Sequence, residues 1–389
     1  MKILIIGGSG ILSSAVVDAC IAKGYDVTML NRGTNNQYIN KNAKLIICDV
    51  RDEKKVKVKM QGLFFDVVID FIVYNLEQLK QSLNLFGNLS NQYIFISSAQ
   101  VYNTSIQKIH EETDETIQPL WQYSVNKDIC EKFLRSYSET HSINYTIVRP
   151  GVNYDNRRIP YGMYPPIGMH WTIVERIKAG KPIITWNNGS NRLNLTRVED
   201  FAFGLLSLLG DKRAHNETFN VVGDYVYSWL EVLETLGELL NTEVHTIDIP
   251  VDFYAKYLNK EEREMLVGGR ALDLVCSNVK LKDICHGFST EYNLKKGLLM
   301  TLEWYKNNNY YLGIDYRWDA ECDRIIKRYA NGYREGGYRD YSHKDFLDRL
   351  YNCCVYNLEY YKDNENAIAF YFWKFVRKLV VKPLKKLVN

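Results

Sequence analysis

The first 33 residues constrain the fold more than any other stretch of the chain. Residues 2–6, KILII, form a continuous apolar run that ends at a glycine, which is typical of a strand buried on both faces. Residues 13–24 then place apolar side chains at helical spacing and end at Gly24, and a second apolar run follows at 25–33. This order predicts an α/β fold with a doubly wound parallel sheet.

The turn between the first strand and the helix reads GGSGILSS. Gly7 allows a tight turn, and Gly10 lets the backbone approach a pyrophosphate without a side chain in the way. The following helix directs free N–H groups and its positive dipole end at the phosphates. Ser13 stands where a third glycine is usual, and we interpret it as a packing variant. The predicted dinucleotide contacts here are Gly7, Ser9, Gly10, Ile11 and Leu12.

The end of the second strand bears on the choice of cofactor. A site that prefers NAD usually has an acid there, whereas this chain has Asn31 and Arg32. Because an arginine can pair with a 2′-phosphate, NADP is mildly favoured over NAD. Asp49 and Val50 follow a third apolar run and are expected beside the adenine, the alternative for Asp49 being a turn-forming role. The alternative interpretation of the glycine-rich turn at residues 7–14 is an ordinary βα connection that binds no ligand.

Two later segments carry side chains suited to proton transfer. The strand YIFI runs into Ser97 and Ser98, and residues 121–134 form a predicted helix. Tyr123 and Lys127 are four residues apart, so they lie on one face of that helix. An ammonium group beside a phenol lowers its pKa, which would let Tyr123 act as a proton shuttle, and a serine hydroxyl would orient the same substrate oxygen.

Taken together, GGSGILSS, SSAQVY, YSVNK, YTIVRPG and RVEDFAFGL resemble the extended short-chain dehydrogenase/reductase superfamily, and more narrowly its NAD(P)-dependent sugar-nucleotide epimerases and dehydratases. The resemblance implies a Rossmann-type fold with a smaller α/β substrate lobe. It implies that Tyr123 is the acid/base, Lys127 the ribose-binding lysine and Ser98 the hydroxyl that binds the reacting oxygen. The dehydratases of the family place an Asp-Glu pair where this chain has Ala99 and Gln100, which disfavours dehydration.

The resemblance also implies the domain boundaries. It covers residues 1–305, with the dinucleotide-binding core mainly in 1–170 and the substrate lobe mainly in 151–195 and 225–300. A pattern of helix, strand, loop and helix is predicted from 171 to 210. Residues 306–389 form a carboxyl-terminal extension, in which 346–361 are predicted to be helical.

Candidate substrate contacts lie in the lobe and beside the catalytic helix. Arginine suits a nucleotide diphosphate because it can bind two oxygens at once. The arginine of the family lies seven residues before an aspartate, a position that here holds Leu193, beside Arg192. A plain surface role is the alternative for each arginine, and core packing is the alternative for Tyr154 and Trp171. The predicted substrate contacts are Ser98, Gln100, Tyr154, Arg158, Arg192 and Arg270.

The last 23 residues have an unusual charge pattern. Residues 367–389 contain six basic residues and no acidic residue, with apolar side chains on most of the other side of a helix. This pattern predicts a helix lying on an anionic membrane surface, kinked at Pro383. The alternative is that the apolar face packs on the body of the protein or on a second subunit.

Composition limits the remaining function classes. A formal net charge of +3 argues against a nucleic-acid partner, and the eight cysteines show no zinc-binding spacing, so no metal site is predicted. The cysteine pattern favours reduced thiols and a cytoplasmic protein, the basic segment 367–389 adds a peripheral location at the inner membrane face as an alternative, and the resemblance implies a homodimer. The leading hypothesis is a sugar-nucleotide 4-epimerase. The alternatives are an NADPH-dependent keto-sugar reductase and a non-catalytic dinucleotide-binding scaffold or sensor.

Overall fold

The computed structural model describes residues 1–33, 40–116, 119–330, 367–381 and 383. The strands of these residues are β1 Lys2–Ile6, β2 Asp26–Asn31, β3 Lys44–Ile47, β4 Phe65–Asp70, β5 Ser90–Ile96, β6 Ile109–His110, β7 Tyr145–Pro150, β8 Val152–Tyr154, β9 Ile183–Thr185, β10 Arg192–Arg197, β11 Glu217–Val221, β12 Val226–Ser228, β13 Thr246–Asp248 and β14 Val275–Cys276.

The α-helices of the same residues are α1 Ile11–Ala22, α2 Glu53–Met60, α3 Leu76–Phe86, α4 Gln122–Thr140, α5 Trp171–Lys178, α6 Val198–Leu208, α7 Trp229–Leu240, α8 Val251–Ala255, α9 Lys260–Met265, α10 Val279–Ile284, α11 Leu294–Asn307, α12 Tyr316–Ala330 and α13 Ala367–Val376. Two π-helical turns continue α9 and α13, at Leu266–Arg270 and Arg377–Val381.

Seven parallel strands form the main sheet, in the order β11-β7-β5-β4-β1-β2-β3. Alternate residues of β1 face opposite layers. Ile3 and Ile5 pack with α1, α6 and α10, whereas Leu4 and Ile6 pack with α2, α3 and α4. Both faces of the sheet are therefore covered by helices, which confirms the predicted doubly wound α/β fold.

Beside the main sheet lies a smaller part of the structure, called the lobe below, with short sheets in the orders β12-β10-β8, β13-β9 and β14-β6. Its core is rich in aromatic side chains, including the fully buried Trp186 and Trp229. The stretch between β9 and α6 differs from the predicted loop, because Arg192–Arg197 forms β10. This strand pairs with both β8 and β12 and so joins the lobe to the end of the main sheet.

The chain beyond residue 305 continues onto the lobe. Arg176 of α5 is buried and donates to Asp319 of α12 at 2.6 Å and to Asp323 at 2.9 Å. Lys181 binds the same two carboxylates at 2.7 and 2.9 Å. These ion pairs hold α12 against α5, so part of the predicted extension packs as lobe structure. The predicted helix at 346–361 lies outside the described residues.

No helix in the described part of the chain is both long and apolar enough to cross a membrane. The described cysteines, Cys20, Cys48, Cys130, Cys276, Cys285 and Cys322, are all buried free thiols.

Candidate active site

The glycine-rich turn connects β1 to α1 at the carboxyl edge of the main sheet. Gly7 has φ +83°, and a Cβ atom at this position would overlap the side chain of Ile72. The Ser13 hydroxyl donates to the Gly7 carbonyl at 2.7 Å and accepts from the Gly10 N–H at 2.8 Å. Ser13 therefore does more than pack, because its hydroxyl ties the two ends of the turn together.

Asn31 connects the end of β2 to the same turn. Its Oδ1 accepts from the Gly8 N–H at 2.9 Å, while its Nδ2 is buried without a hydrogen-bond partner in the structure. Arg32 is exposed next to it. These features fit a bound dinucleotide: the buried donor of Asn31 has no partner, the turn leaves little room for side chains, and α1 begins beside it. The phosphates would then lie against Ser9, Gly10, Ile11 and Leu12.

Asp49 and Val50 follow β3, beside the turn. Asp49 accepts from the backbone N–H and the guanidinium of Arg51, and the side-chain hydrogen bond lowers the pKa of Asp49 to about 2. The Val50 carbonyl accepts from Gln81 Nε2 at 3.2 Å. The turn-forming role considered for Asp49 is thus present in the structure, and its predicted position beside the adenine stays a prediction.

The structure brings Ser98 and Tyr123 together. Ser98 follows β5 and Tyr123 lies in the first turn of α4, and the hydroxyl of Ser98 lies close enough to lower the pKa of Tyr123. The Ser98 hydroxyl accepts from the Gln100 N–H at 3.2 Å, which orients it. Two neighbouring hydroxyl groups can bind one substrate oxygen and move its proton.

Lys127 lies one turn further along α4 and is buried. Its ammonium group donates to the carbonyls of Val73 at 2.6 Å and Ile96 at 2.7 Å, and it lies 5.8 Å from the centre of the Tyr123 ring. An ammonium group has three donors, so one remains for a ligand. Burial lowers the pKa of Lys127 to about 8.

The pKa of Tyr123 differs from the sequence-based expectation. Burial raises it to about 12, and this effect outweighs the hydrogen bond from Ser98 and the charge of Arg270, which both lower it. The expectation that Lys127 lowers the pKa of Tyr123 towards neutrality was wrong, because spacing on a helix face does not report how deeply a phenol is buried. Forming phenolate therefore requires further positive charge.

Beneath α4 lies an ion pair that the sequence did not predict. Glu131, one turn after Lys127, binds Arg149 of β7 through Nε at 2.9 Å and Nη2 at 2.5 Å, and it accepts from Ser97 at 2.6 Å. Both charged side chains are 2% exposed. The pair fixes α4 to β5 and β7 and so sets the position of Lys127. In the sequence, Glu131 is marked by its position four residues after Lys127, which places both side chains on the same side of α4.

Arg270 reaches the site from the π-helical turn after α9. Its carbonyl accepts from the indole N–H groups of Trp186 at 2.9 Å and Trp229 at 2.8 Å, which fixes the backbone. A Cβ at the neighbouring Gly269 would lie 3.0 Å from Trp121 and 3.1 Å from Gln100 Oε1, so a larger residue would require these side chains to move. The Nε and Nη1 atoms of Arg270 are buried without a hydrogen-bond partner.

Arg158 lies beside Arg270, on the loop between β8 and α5. Its guanidinium is 4.5 Å from the centre of the Tyr164 ring, and its Nε and Nη2 atoms are also buried without a partner. The charges of Arg158 and Arg270 lower the pKa of Tyr164, which lies between them. Neither arginine forms an ion pair within the described residues. The sequence analysis missed Tyr164 because tyrosine is abundant in this chain.

The remaining predicted substrate residues occupy different surroundings. Tyr154 is buried against Gly297, and Arg197 lies 5.3 Å from its ring, so it packs in the lobe core. Trp171 is buried and donates to Glu175. Arg192 is exposed at the start of β10. Gln100 is buried beside Trp121 and Gly269, with Oε1 unpartnered in the structure, and so faces the site.

Metal ligation has no candidate in the described ranges, where no group of three His, Cys, Asp or Glu side chains could hold an ion.

Comparison with known proteins places this geometry in a family context. Residues 3–222 match the model of the NAD dependent epimerase/dehydratase family. A Methanocaldococcus jannaschii protein, provisionally named a UDP-glucose 4-epimerase, is 25% identical over 328 residues, covering 79% of this chain and 99% of the relative. The chloroplast stem-loop binding protein of 41 kDa b from Arabidopsis thaliana is 29% identical over 236 residues, covering 57% of this chain and 59% of the relative.

Solved structures show the same fold. A UDP-glucuronic acid 4-epimerase from Bacillus cereus, in complex with UDP-glucuronic acid and NAD, superposes with a TM-score of 0.65 at 19% identity. The match covers 79% of this chain and 99% of that structure.

Proposed function

Because this chain belongs to the NAD dependent epimerase/dehydratase family, we propose that it is a sugar-nucleotide 4-epimerase. The observation that carries the proposal is the proximity of Ser98 and Tyr123, beside two arginines with unpartnered buried donors. A proton relay next to an uncompensated cationic pocket suits a neutral sugar ring joined to an anionic group.

The catalytic cycle follows from these side chains. NAD, when bound, supplies a reversible hydride acceptor, and the positive charge of its oxidised nicotinamide favours the phenolate of Tyr123. Tyr123 takes the proton of the sugar 4-hydroxyl as the C4 hydride departs. It returns a proton to the same oxygen after the keto-sugar has turned and regained the hydride on its other face. Ser98 holds that oxygen throughout, and the free donor of Lys127 binds the cofactor ribose.

Arg158 and Arg270 are proposed to hold the diphosphate of the substrate. Both guanidinium groups have donors left to offer, and an anion would remove the cost of burying an unpaired charge. Gln100 lies on the same side of the site and would contact the sugar. Dehydration is not proposed, because Ala99 and Gln100 supply neither an acid nor a base for loss of water.

A second candidate is an NADPH-dependent reductase of a keto-sugar. Arg32 favours it, because this side chain is exposed at the end of β2 and could pair with a 2′-phosphate. An epimerase returns the hydride and leaves the cofactor unchanged, whereas a reductase consumes one NADPH for each turnover. Two assays therefore separate the candidates. Incubation with UDP-, GDP-, CDP- and dTDP-sugars and NAD, followed by analysis of the sugar epimers, tests the epimerase, and incubation with a keto-sugar and NADPH, followed by cofactor oxidation, tests the reductase.

The test variant is Tyr123→Phe, which keeps the ring and removes the proton-transferring hydroxyl. We expect at least a roughly hundredfold loss of kcat, the range that a general acid/base contributes. Tyr225→Phe, on a tyrosine that is 41% exposed, is the matched control and should retain full activity. Full biological activity in the Tyr123→Phe variant would favour the non-catalytic scaffold instead.

We further propose a homodimer paired through α4, on which Ile129 is 40% exposed. Light scattering of the purified chain, compared with the variant Ile129→Glu, measures this directly. A monomeric wild-type protein would contradict the proposed pairing.

A further inference from the structure

The helix α13 exposes a continuous apolar stripe. Ile368, Phe372, Phe375 and Leu379 are 86%, 57%, 61% and 54% exposed, respectively. Their spacing of four, three and four residues places them along one side of a helix. Tyr371, at the edge of this stripe, is 64% exposed. Four large apolar side chains in one exposed row indicate an interaction surface rather than isolated surface residues.

The charges of this segment indicate what covers the stripe. Lys374, Arg377 and Lys378 lie on the side of the helix away from the stripe when projected at 100° per residue. Residues 367–389 as a whole contain six basic residues and no acidic residue. Two copies of such a segment would repel each other, whereas an anionic surface would attract either one.

The composition of the stripe matches the boundary zone of a bilayer. Aromatic side chains dominate α13, which reads AIAFYFWKFV, and rings of this kind are favoured at the level of the lipid headgroups. The Lys374 ammonium lies 5.8 Å from the ring centres of both Phe370 and Tyr371. A lysine stem beside aromatic rings can follow the apolar surface while its charge stays among the headgroups.

The basic side chains distinguish lying on a membrane from crossing it, because Lys374, Arg377 and Lys378 would all enter the hydrocarbon core if this segment crossed the bilayer. Residues 367–381 span about 22 Å at 1.5 Å per residue, and a bilayer core is about 30 Å thick. We therefore propose that α13 anchors the protein peripherally to an anionic lipid bilayer, with Ile368, Phe372, Phe375 and Leu379 inserted and the basic side chains at the phosphate level.

Flotation of the full-length chain with lipid vesicles tests this proposal. We expect binding to phosphatidylcholine vesicles that contain about a third phosphatidylglycerol, weakened by salt, and little binding to pure phosphatidylcholine. The double variant Phe372→Glu/Phe375→Glu should abolish binding, and Lys374→Glu/Lys378→Glu should weaken it more than roughly tenfold.

The matched control is Val58→Glu, which places the same charge on α2 at a side chain that is 72% exposed, and it should bind vesicles like the wild type. Equal binding to neutral and anionic vesicles, or none to either, would overturn the proposal. Self-association that is lost in the Phe372→Glu/Phe375→Glu variant would also overturn it, by identifying a second copy as the occupant. Turnover of a soluble sugar nucleotide should be unchanged in all variants, so failure of the catalytic proposal is measured separately.

Discussion

Two buried arginines, Arg149 and Arg270, have opposite electrostatic surroundings. Arg149, beneath α4, is bound by the Glu131 carboxylate, whereas Arg270, facing the site, has no carboxylate partner among the described residues. Burial disfavours the charge of both guanidinium groups. Glu131 reverses this effect and raises the pKa of Arg149, while the pKa of Arg270 remains lowered.

The difference separates a structural cation from a binding cation. A buried charge that is paired within the protein is part of the scaffold and needs no ligand to balance it. A buried charge left unpaired costs stability, and proteins retain such groups where a ligand supplies the missing partner. Arg149 therefore holds α4 in place, and the unpaired charge of Arg270 supports its proposed role in binding the substrate.

The largest expected effect is on stability, in the variant Arg149→Met. Removing the cation leaves Glu131 buried with a hydrogen bond from Ser97 and a more distant Arg135, so we expect the free energy of unfolding to fall by about 3–5 kcal/mol. Urea denaturation followed by circular dichroism measures it. The double variant Glu131→Leu/Arg149→Met should recover most of the loss, because it leaves no unpaired charge. A loss below about 1 kcal/mol in the single variant would contradict the structural role.

Local sequence patterns predicted the cofactor turn and the helix that carries Tyr123 and Lys127. Both depend on spacings of a few residues, which secondary structure converts directly into geometry. The contribution of Ser13 was underestimated, because a residue type alone does not show that its hydroxyl bridges Gly7 and Gly10. These parts of the site are encoded over short distances along the chain.

The substrate side depends on contacts between distant residues and was predicted less completely. Arg270 was a candidate, but its placement rests on Trp186, which is 84 residues away and binds its carbonyl. Glu131 was missed because its partner, Arg149, comes from another element, and Tyr164 was missed because Arg270, one of the two arginines beside it, comes from the turn after α9. The pKa of Tyr123 was misjudged for the same reason, because burial is a property of the folded chain.

The second prediction concerns activity and uses Arg270→Met. Because Arg270 has no carboxylate to leave behind, we expect the free energy of unfolding to stay the same or to increase. The KM for the nucleotide sugar should rise roughly 10- to 100-fold, the value of a lost charge-assisted hydrogen bond to a phosphate. Steady-state kinetics and urea denaturation of one preparation measure both quantities. Strong destabilisation with an unchanged KM would show that Arg270 is a scaffold residue like Arg149.

The smallest predicted effect is the acid sensitivity caused by His170, which lies beside Arg158. Burial, helped by the charge of Arg158, lowers the pKa of His170 to about 3. The unfolded chain takes up this proton first, near pH 6.5, so stability should fall as the pH drops from about 6.5 towards 3. At pH 5 the loss of stability from this group is about 2 kcal/mol.

His170→Gln should flatten that part of the pH profile of unfolding, whereas His245→Gln, at a side chain that is 53% exposed, should leave it unchanged. Parallel profiles for wild type and His170→Gln would mean that the cationic pocket does not hold His170 neutral, and the contrast between paired and unpaired arginines would lose this support.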